Sequence, residues 1–199
     1  QDVPDWYIWS CKKISYMFPK AHAAAYVMMA YRIAYCKINY PLAYYAAYFG
    51  IRADAFSYAL MCQGKETLNY HIKQYKSKGD QLSKKEQDVL KDMKIVQEMY
   101  ARGFEFVPID ILPIDIYRAK ATKFSIVDGK LMPSLASIEG MGDKAAEAVE
   151  EAAKDGAYLS LDDFRQRTKV SKTVIDLMAE LGLFGDLPQS NQLSLFDFT

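Results

Sequence analysis

With 199 residues, a hydrophobic fraction of 51% and an aromatic fraction of 14%, the chain has enough length and apolar content to bury a core, which excludes an intrinsically disordered segment. Its 25 basic and 25 acidic residues cancel, so net charge gives no sign of a nucleic-acid partner, although residues 1–80 carry 10 basic against 5 acidic and residues 81–199 carry 15 against 20. A basic first part suits phosphates or an ordinary solvated surface, and charge does not choose between them. Three cysteines, Cys11, Cys36 and Cys62, are widely spaced and lack a C-x-x-C pair. They make neither a disulfide framework nor a zinc site, and reduced, buried thiols are expected. The longest apolar run, Ala23 to Tyr31, falls well short of the roughly 20 residues of a membrane span. No signal-peptide pattern opens the chain, and its first residue, Gln1, leads us to expect further chain upstream.

Residues 5–78 read as helices with short breaks. The stretch from Lys20 to Tyr40 is rich in Ala, Met and Tyr and holds no Gly or Pro, so helix propensity and apolar content agree. Tyr26, Met29, Ile33 and Cys36 recur at helical spacing and are expected to form a buried stripe. Pro19 precedes this helix and Pro41 fits the first turn of the next. Lys20, His22 and Tyr26 gather at the first helix's positive end, with His22 and Tyr26 on one face. Such a trio suits a triphosphate, with a point charge, a donor and a stacking surface; a structural cap or core histidine is the other reading. Ser83-Lys84-Lys85-Glu86 is a capping box that opens a helix running to about Arg102, with Gly103 as its stop. Residues 104–133 carry Pro108 and Pro113, alternate around Phe124 and Ile126, and turn at Asp128-Gly129, which predicts a small β element. Helices return over about Asp143 to Asp155, from Ser160, and from Ser171 to Gly182. The tail from Pro188 to Thr199 has few partners to fold on.

The pattern Leu135-x-x-Ile138-x-Gly140-Met141-Gly142-x-x-Ala145-Ala146-x-x-Val149 carries the chemistry. Glycines two apart permit a tight turn and a close backbone approach, and a helix starts just after them. The first amides of that helix lack intrahelical partners and face the positive end of the dipole, where a phosphate oxygen fits. Met141 would plug the turn into the core, and Lys144, in the first turn, could add a charged contact. Ser160 to Phe184 repeats the plan without the glycines, offering Lys169, Ser171 and Lys172 around its turn. Two other readings stay open. The glycines fit a loose dinucleotide fingerprint, although no strand precedes them. They also fit a helix–helix turn that binds nothing.

Gln192-Leu193-Ser194-Leu195-Phe196 is a short segment whose apolar anchors suit a pocket on a partner, or fold back on this chain's own core. No nucleophile with its base, no His/Cys cluster and no paired-carboxylate metal motif is present in the sequence, and Asp110 and Asp115, flanking Pro113, suit a loop.

Three segments together carry a resemblance. YMFPKAHAAAYVMMAYRIAY at residues 16–35 resembles the fingers region of PolC-type bacterial DNA polymerase III α subunits. Residues 131–184 resemble the tandem helix–hairpin–helix domain of that family, and QLSLF at 192–196 resembles its sliding-clamp motif. The order matches, and the matches span nearly the whole chain. The resemblance implies a mainly α fold: part of the fingers over 1–103, a small β connector over 104–133, a tandem helix–hairpin–helix duplex-binding domain over 134–186 and a clamp-binding tail over 187–199. It implies that Lys20, His22 and Tyr26 meet the incoming nucleotide. It assigns Ser137, Gly140, Gly142, Lys144, Lys169, Ser171 and Lys172 to duplex phosphates, and Gln192, Leu193, Leu195 and Phe196 to the clamp. No cofactor is expected in this chain; Mg²⁺ belongs to a palm upstream, so the chain alone is expected not to polymerise. Implied partners are primer–template duplex, deoxynucleoside triphosphate, sliding clamp and the rest of the polymerase polypeptide, in the cytoplasm at the replisome and away from membranes. A stand-alone adaptor joining DNA to a clamp is the alternative.

Overall fold

A computed structural model describes residues 2–14, 19–109, 111 and 119–190. The chain is mainly helical, with one two-stranded sheet among the described residues. It divides into two compact units, Gln1–Pro41 and Leu42–Thr199.

In the first unit, α1 spans Asp5–Lys13 and α2 spans Lys20–Asn39. Each is entered from a proline, Pro4 and Pro19, at φ −57° and −59°, the values the pyrrolidine ring imposes. Neither helix contains a buried residue. The expected buried stripe is therefore a correction: Tyr26 is 66% exposed, Met29 and Ile33 are 52% exposed, and Cys36 is exposed. The spacing places these residues on one helix, but Val27, Met28, Tyr31, Tyr35 and Ile38 are exposed too, so α2 is apolar all round rather than on one face. No described helix is long and apolar enough to cross a membrane.

The second unit begins inside α3, Pro41–Ile51, and continues with α4, Tyr58–Met61, α5, Lys65–Ser77, and α6, Lys84–Ala101. At the start of α6 the Ser83 hydroxyl accepts from the Glu86 amide at 3.3 Å, and the Glu86 carboxylate accepts from the Ser83 amide at 2.9 Å. Lys78, 2.5 Å from Glu86, and then Ser83 pull that carboxyl down to about 2. Strands β1, Ser125–Val127, and β2, Lys130–Met132, pair antiparallel with Ile126 opposite Leu131. Asp128 and Gly129 turn between them at φ 51° and 75°, the positive angles that a two-residue hairpin demands. Leu131 also bridges Phe106 in parallel.

Side chains alternate across a strand, and β2 uses this to serve two cores. Leu131 joins the core built by Tyr45, Phe49, Met61, Leu68, Met93 and Met99, whereas Met132 joins the core built by Leu135, Ile138, Met141, Val149, Phe164 and Met178. The second core holds α7, Asp143–Ala152, α8, Leu161–Thr168, and α9, Lys172–Glu180. None of the three cysteines is fully buried as expected, Cys62 being half-buried like Cys11. Cys36 is exposed and Cys11 half-buried, while burial pushes the Cys62 thiol well up and the nearby Glu139 carboxylate adds to the shift. The start of the tail is better held than its composition suggests: the carbonyls of Pro188 and Gln189 accept from the first amides of α8, Leu161 at 2.9 Å and Asp162 at 3.2 Å.

Candidate nucleic-acid interface

The first hairpin is shaped by a single 3-10 turn, Leu135–Ser137, followed by Gly140-Met141-Gly142 and α7. Its two glycines do different work. Gly140 sits at φ +80°, and a Cβ added there would stand 3.3 Å from Cγ2 of Val174 on α9, so both backbone angle and packing favour glycine. Gly142 caps α7 at φ −75° and ψ 162°, angles open to any residue, and a Cβ there meets nothing within 4 Å. Space, not conformation, is what glycine provides at 142. Because Gly142 has no side-chain oxygen, the first amides of α7 stay uncapped. Met141 is buried in the core as expected, and Lys144 projects as an exposed cation beside exposed Asp143.

The second hairpin reproduces this backbone with other residues. Lys169 takes the left-handed position at φ +57°, Val170 is the buried plug, and Ser171 caps α9 at φ −66° and ψ 149°. The carbonyl of Gly142 accepts from Ala145 and Ala146 at 3.0 Å, and that of Ser171 accepts from Val174 and Ile175 at 3.1 Å. Ser171 makes no side-chain cap, unlike Ser57, Ser83 and Ser160, whose hydroxyls close the starts of α4, α6 and α8. A hollow of about 450 Å³ lies over this hairpin, lined by Asp162, Arg165, Gln166, Lys169, Val170, Ser171 and Lys172. Arg165 and Gln166 were not singled out from the sequence; the four-residue step from Arg165 to Lys169, which puts both on one helix face, was the available signal.

Ser137, expected to face phosphates, is instead 7% exposed, and its hydroxyl donates to the Ser134 carbonyl at 2.5 Å. A residue inside a tight 3-10 turn spends its hydroxyl on the turn. Glu139 was also missed. Its Oε1 accepts from the Ser57 hydroxyl and from the Ala59 amide at 3.3 Å, tying the hairpin to α4, and its Oε2 is buried without a partner among the described residues. Acidic and beside a glycine, it reads in sequence as a surface residue.

Lys20, His22 and Tyr26 all lie exposed in the first turns of α2, and the His22 and Tyr26 rings meet edge to face at 4.5 Å. Gln192, Leu193, Leu195 and Phe196 fall outside the described residues, as do Asp110 and Asp115. No group of three or more His, Cys, Asp or Glu among the described residues is placed to hold a metal ion.

A helix-hairpin-helix motif family matches residues 108–193, which contain both hairpins. Over 194 residues, 98% of the chain, it is 49% identical to the "DNA polymerase III PolC-type" of Caldanaerobacter subterraneus subsp. tengcongensis. The proteins of the same name from Clostridium perfringens and Bacillus cereus are each 47% identical over 98% of the chain. The chain belongs to the PolC-type DNA polymerase III family. It spans 14% of the length of the first of these relatives and 13% of the other two. The PolC-type match covers both units, and the helix-hairpin-helix match lies within the second.

Proposed function

We propose that this chain is the part of a replicative DNA-directed DNA polymerase that grips the primer–template duplex by its backbone. The paired hairpins carry this reading: two open helix starts, on α7 and α9, with Lys144, Arg165, Lys169 and Lys172 beside them. Uncapped amides at the positive end of a helix dipole accept phosphate oxygens without reading bases. Each hairpin grips one or two phosphates. The test is duplex affinity as a function of salt, expected to be steep and indifferent to sequence; salt-independent binding or none refutes it.

The rest of the reading follows the family. α2 presents Lys20, His22 and Tyr26 to the incoming nucleotide, and Gln192, Leu193, Leu195 and Phe196 engage the sliding clamp. The exposed apolar surface of α1 and α2, with Trp6 69% and Trp9 61% exposed, supports coverage by the remainder of the polymerase polypeptide. The palm upstream supplies the Mg²⁺ that assists phosphoryl transfer from a nucleoside triphosphate to the primer, at the cytoplasmic replisome, so this chain alone is inactive in primer extension. Loss of clamp binding on Leu195→Ala/Phe196→Ala tests the tail, and nucleotide incorporation by the isolated chain contradicts the predicted inactivity.

A further inference from the structure

We infer that Arg167 is the positioning residue that holds the two hairpins at a fixed separation, so that both meet one duplex. This rests on the duplex-binding reading above. Hairpin one lies at the start of α7 and hairpin two at the end of α8, so the joint between the C-terminal end of α7 and α8 sets the distance between the two grips. Arg167, one turn from hairpin two, reaches back across that joint. Its Nη2 donates to the carbonyl of Ala152, the last residue of α7, and to that of Gly156 at 2.9 Å. Its Nη1 donates to the carbonyl of Ala157 at 3.1 Å and to the Asp163 carboxylate at 3.3 Å.

The guanidinium also lies 4.6 Å over the ring of Tyr158, whose hydroxyl donates to the Val149 carbonyl at 2.9 Å. Two side chains thus reach carbonyls at the end of α7: Arg167 takes that of Ala152, and Tyr158 adds a second donor to that of Val149, which also accepts from the Ala153 amide. Asp163 in turn accepts from the Leu159 amide at 3.0 Å, and its own amide donates to Ser160 at the capped start of α8. One planar fork with donors in fixed directions serves all four acceptors; a lysine ammonium has three donors and no fork. The hairpin units also share a core, in which Met141 and Ala146 cluster with Val170, Val174 and Met178, and Gly140 stands against Val174; Arg167 adds a polar tie at the joint itself.

The experiment is a double-mutant cycle on the full 199-residue chain, read as duplex affinity against salt. Lys172→Ala alone is expected to weaken binding several-fold and to flatten the log–log salt slope by about 0.9, one phosphate's worth. Arg167→Lys is expected to weaken binding about tenfold and to flatten the slope by about 1–2, the share of one hairpin. In the Arg167→Lys background Lys172→Ala then adds nothing, while Lys144→Ala keeps its full effect. If Lys172→Ala costs the same fold in both backgrounds, Arg167 only stabilises the fold and the inference fails, whatever the melting temperature does. Should Arg167→Lys not fold, Arg167→Gln carries the same cycle with the same two outcomes. Absence of salt-dependent duplex binding by the unaltered chain removes the duplex-binding reading itself, and this inference with it.

Discussion

The two hairpins share a backbone and differ in sequence, and the difference separates what a turn needs from what a ligand needs. Gly140 and Lys169 occupy equivalent positive-φ positions at +80° and +57°; Lys169 is exposed, whereas a Cβ added at Gly140 would stand 3.3 Å from Val174. Where the side chain is exposed, a lysine tolerates the strained angle and brings a charge; where α9 closes in, glycine avoids a tight contact as well as the strain. Gly142 and Ser171 make the complementary pair. Both cap helices at ordinary extended angles, and neither closes its helix with a side-chain bond. The glycine-rich and glycine-free copies therefore present the same two open helix ends.

The comparison predicts a ranking of effects. Gly140→Ala has the largest: left-handed backbone costs an L-residue about 1–2 kcal/mol, and the contact with Val174 adds to it, so stability in denaturant falls by about 2 kcal/mol or more and duplex binding falls with it. Lys169→Gly, at the equivalent position, leaves stability level or raises it by up to about 1 kcal/mol. Equal losses at both positions would break the comparison. Glu139→Ala comes next. It strands the Ser57 hydroxyl and the Ala59 amide, a cost of about 1–3 kcal/mol in denaturant unfolding, and frees hairpin one from α4.

Gly142→Val separates ligand from fold. Its angles admit valine, so stability falls by less than about 1 kcal/mol. Duplex affinity falls about tenfold as the branch enters the phosphate approach. A stability loss as large as that of Gly140→Ala would merge the two glycines' roles again. The smallest effect concerns a closed helix end as contrast. Glu86 at α6 has its carboxyl drawn from an ordinary value near 4.5 down to about 2, first by Lys78 and then by Ser83. A depressed carboxyl contributes stability that is present above about 4.5 and is lost as pH falls toward 2. Glu86→Gln removes that acid limb from the denaturation midpoint without touching duplex affinity.

The legible parts of the molecule were those written in local chemistry. Ser83 with Glu86, Asp128 with Gly129, and Gly140 with Gly142 each specify a backbone over three or four residues, and the helix ends and the turn fall where those residues stand. What was missed depends on distant partners. The stripe from Tyr26 to Cys36 has helical spacing, but spacing does not say whether anything covers the face. Ser137 looked available because sequence does not show that its hydroxyl is already bonded to Ser134. Glu139 and Arg167 carry no local signal in the sequence, because their roles depend on Ser57, 82 residues away, and on carbonyls 10 to 15 residues back. The second hairpin lay between these cases: its plan was visible, but its equivalence to the first needed the left-handed angle of Lys169.

The most direct measurement is the affinity of the 199-residue chain for a plain DNA duplex across a salt series. Two hairpins gripping one or two phosphates each predict a log–log slope of about −2 to −4, unchanged by base sequence. The slope should flatten by about 0.9 for each of Lys144→Ala and Lys172→Ala. A flat salt dependence, or a slope that neither substitution moves, would contradict the central claim that these two helix starts hold the DNA backbone.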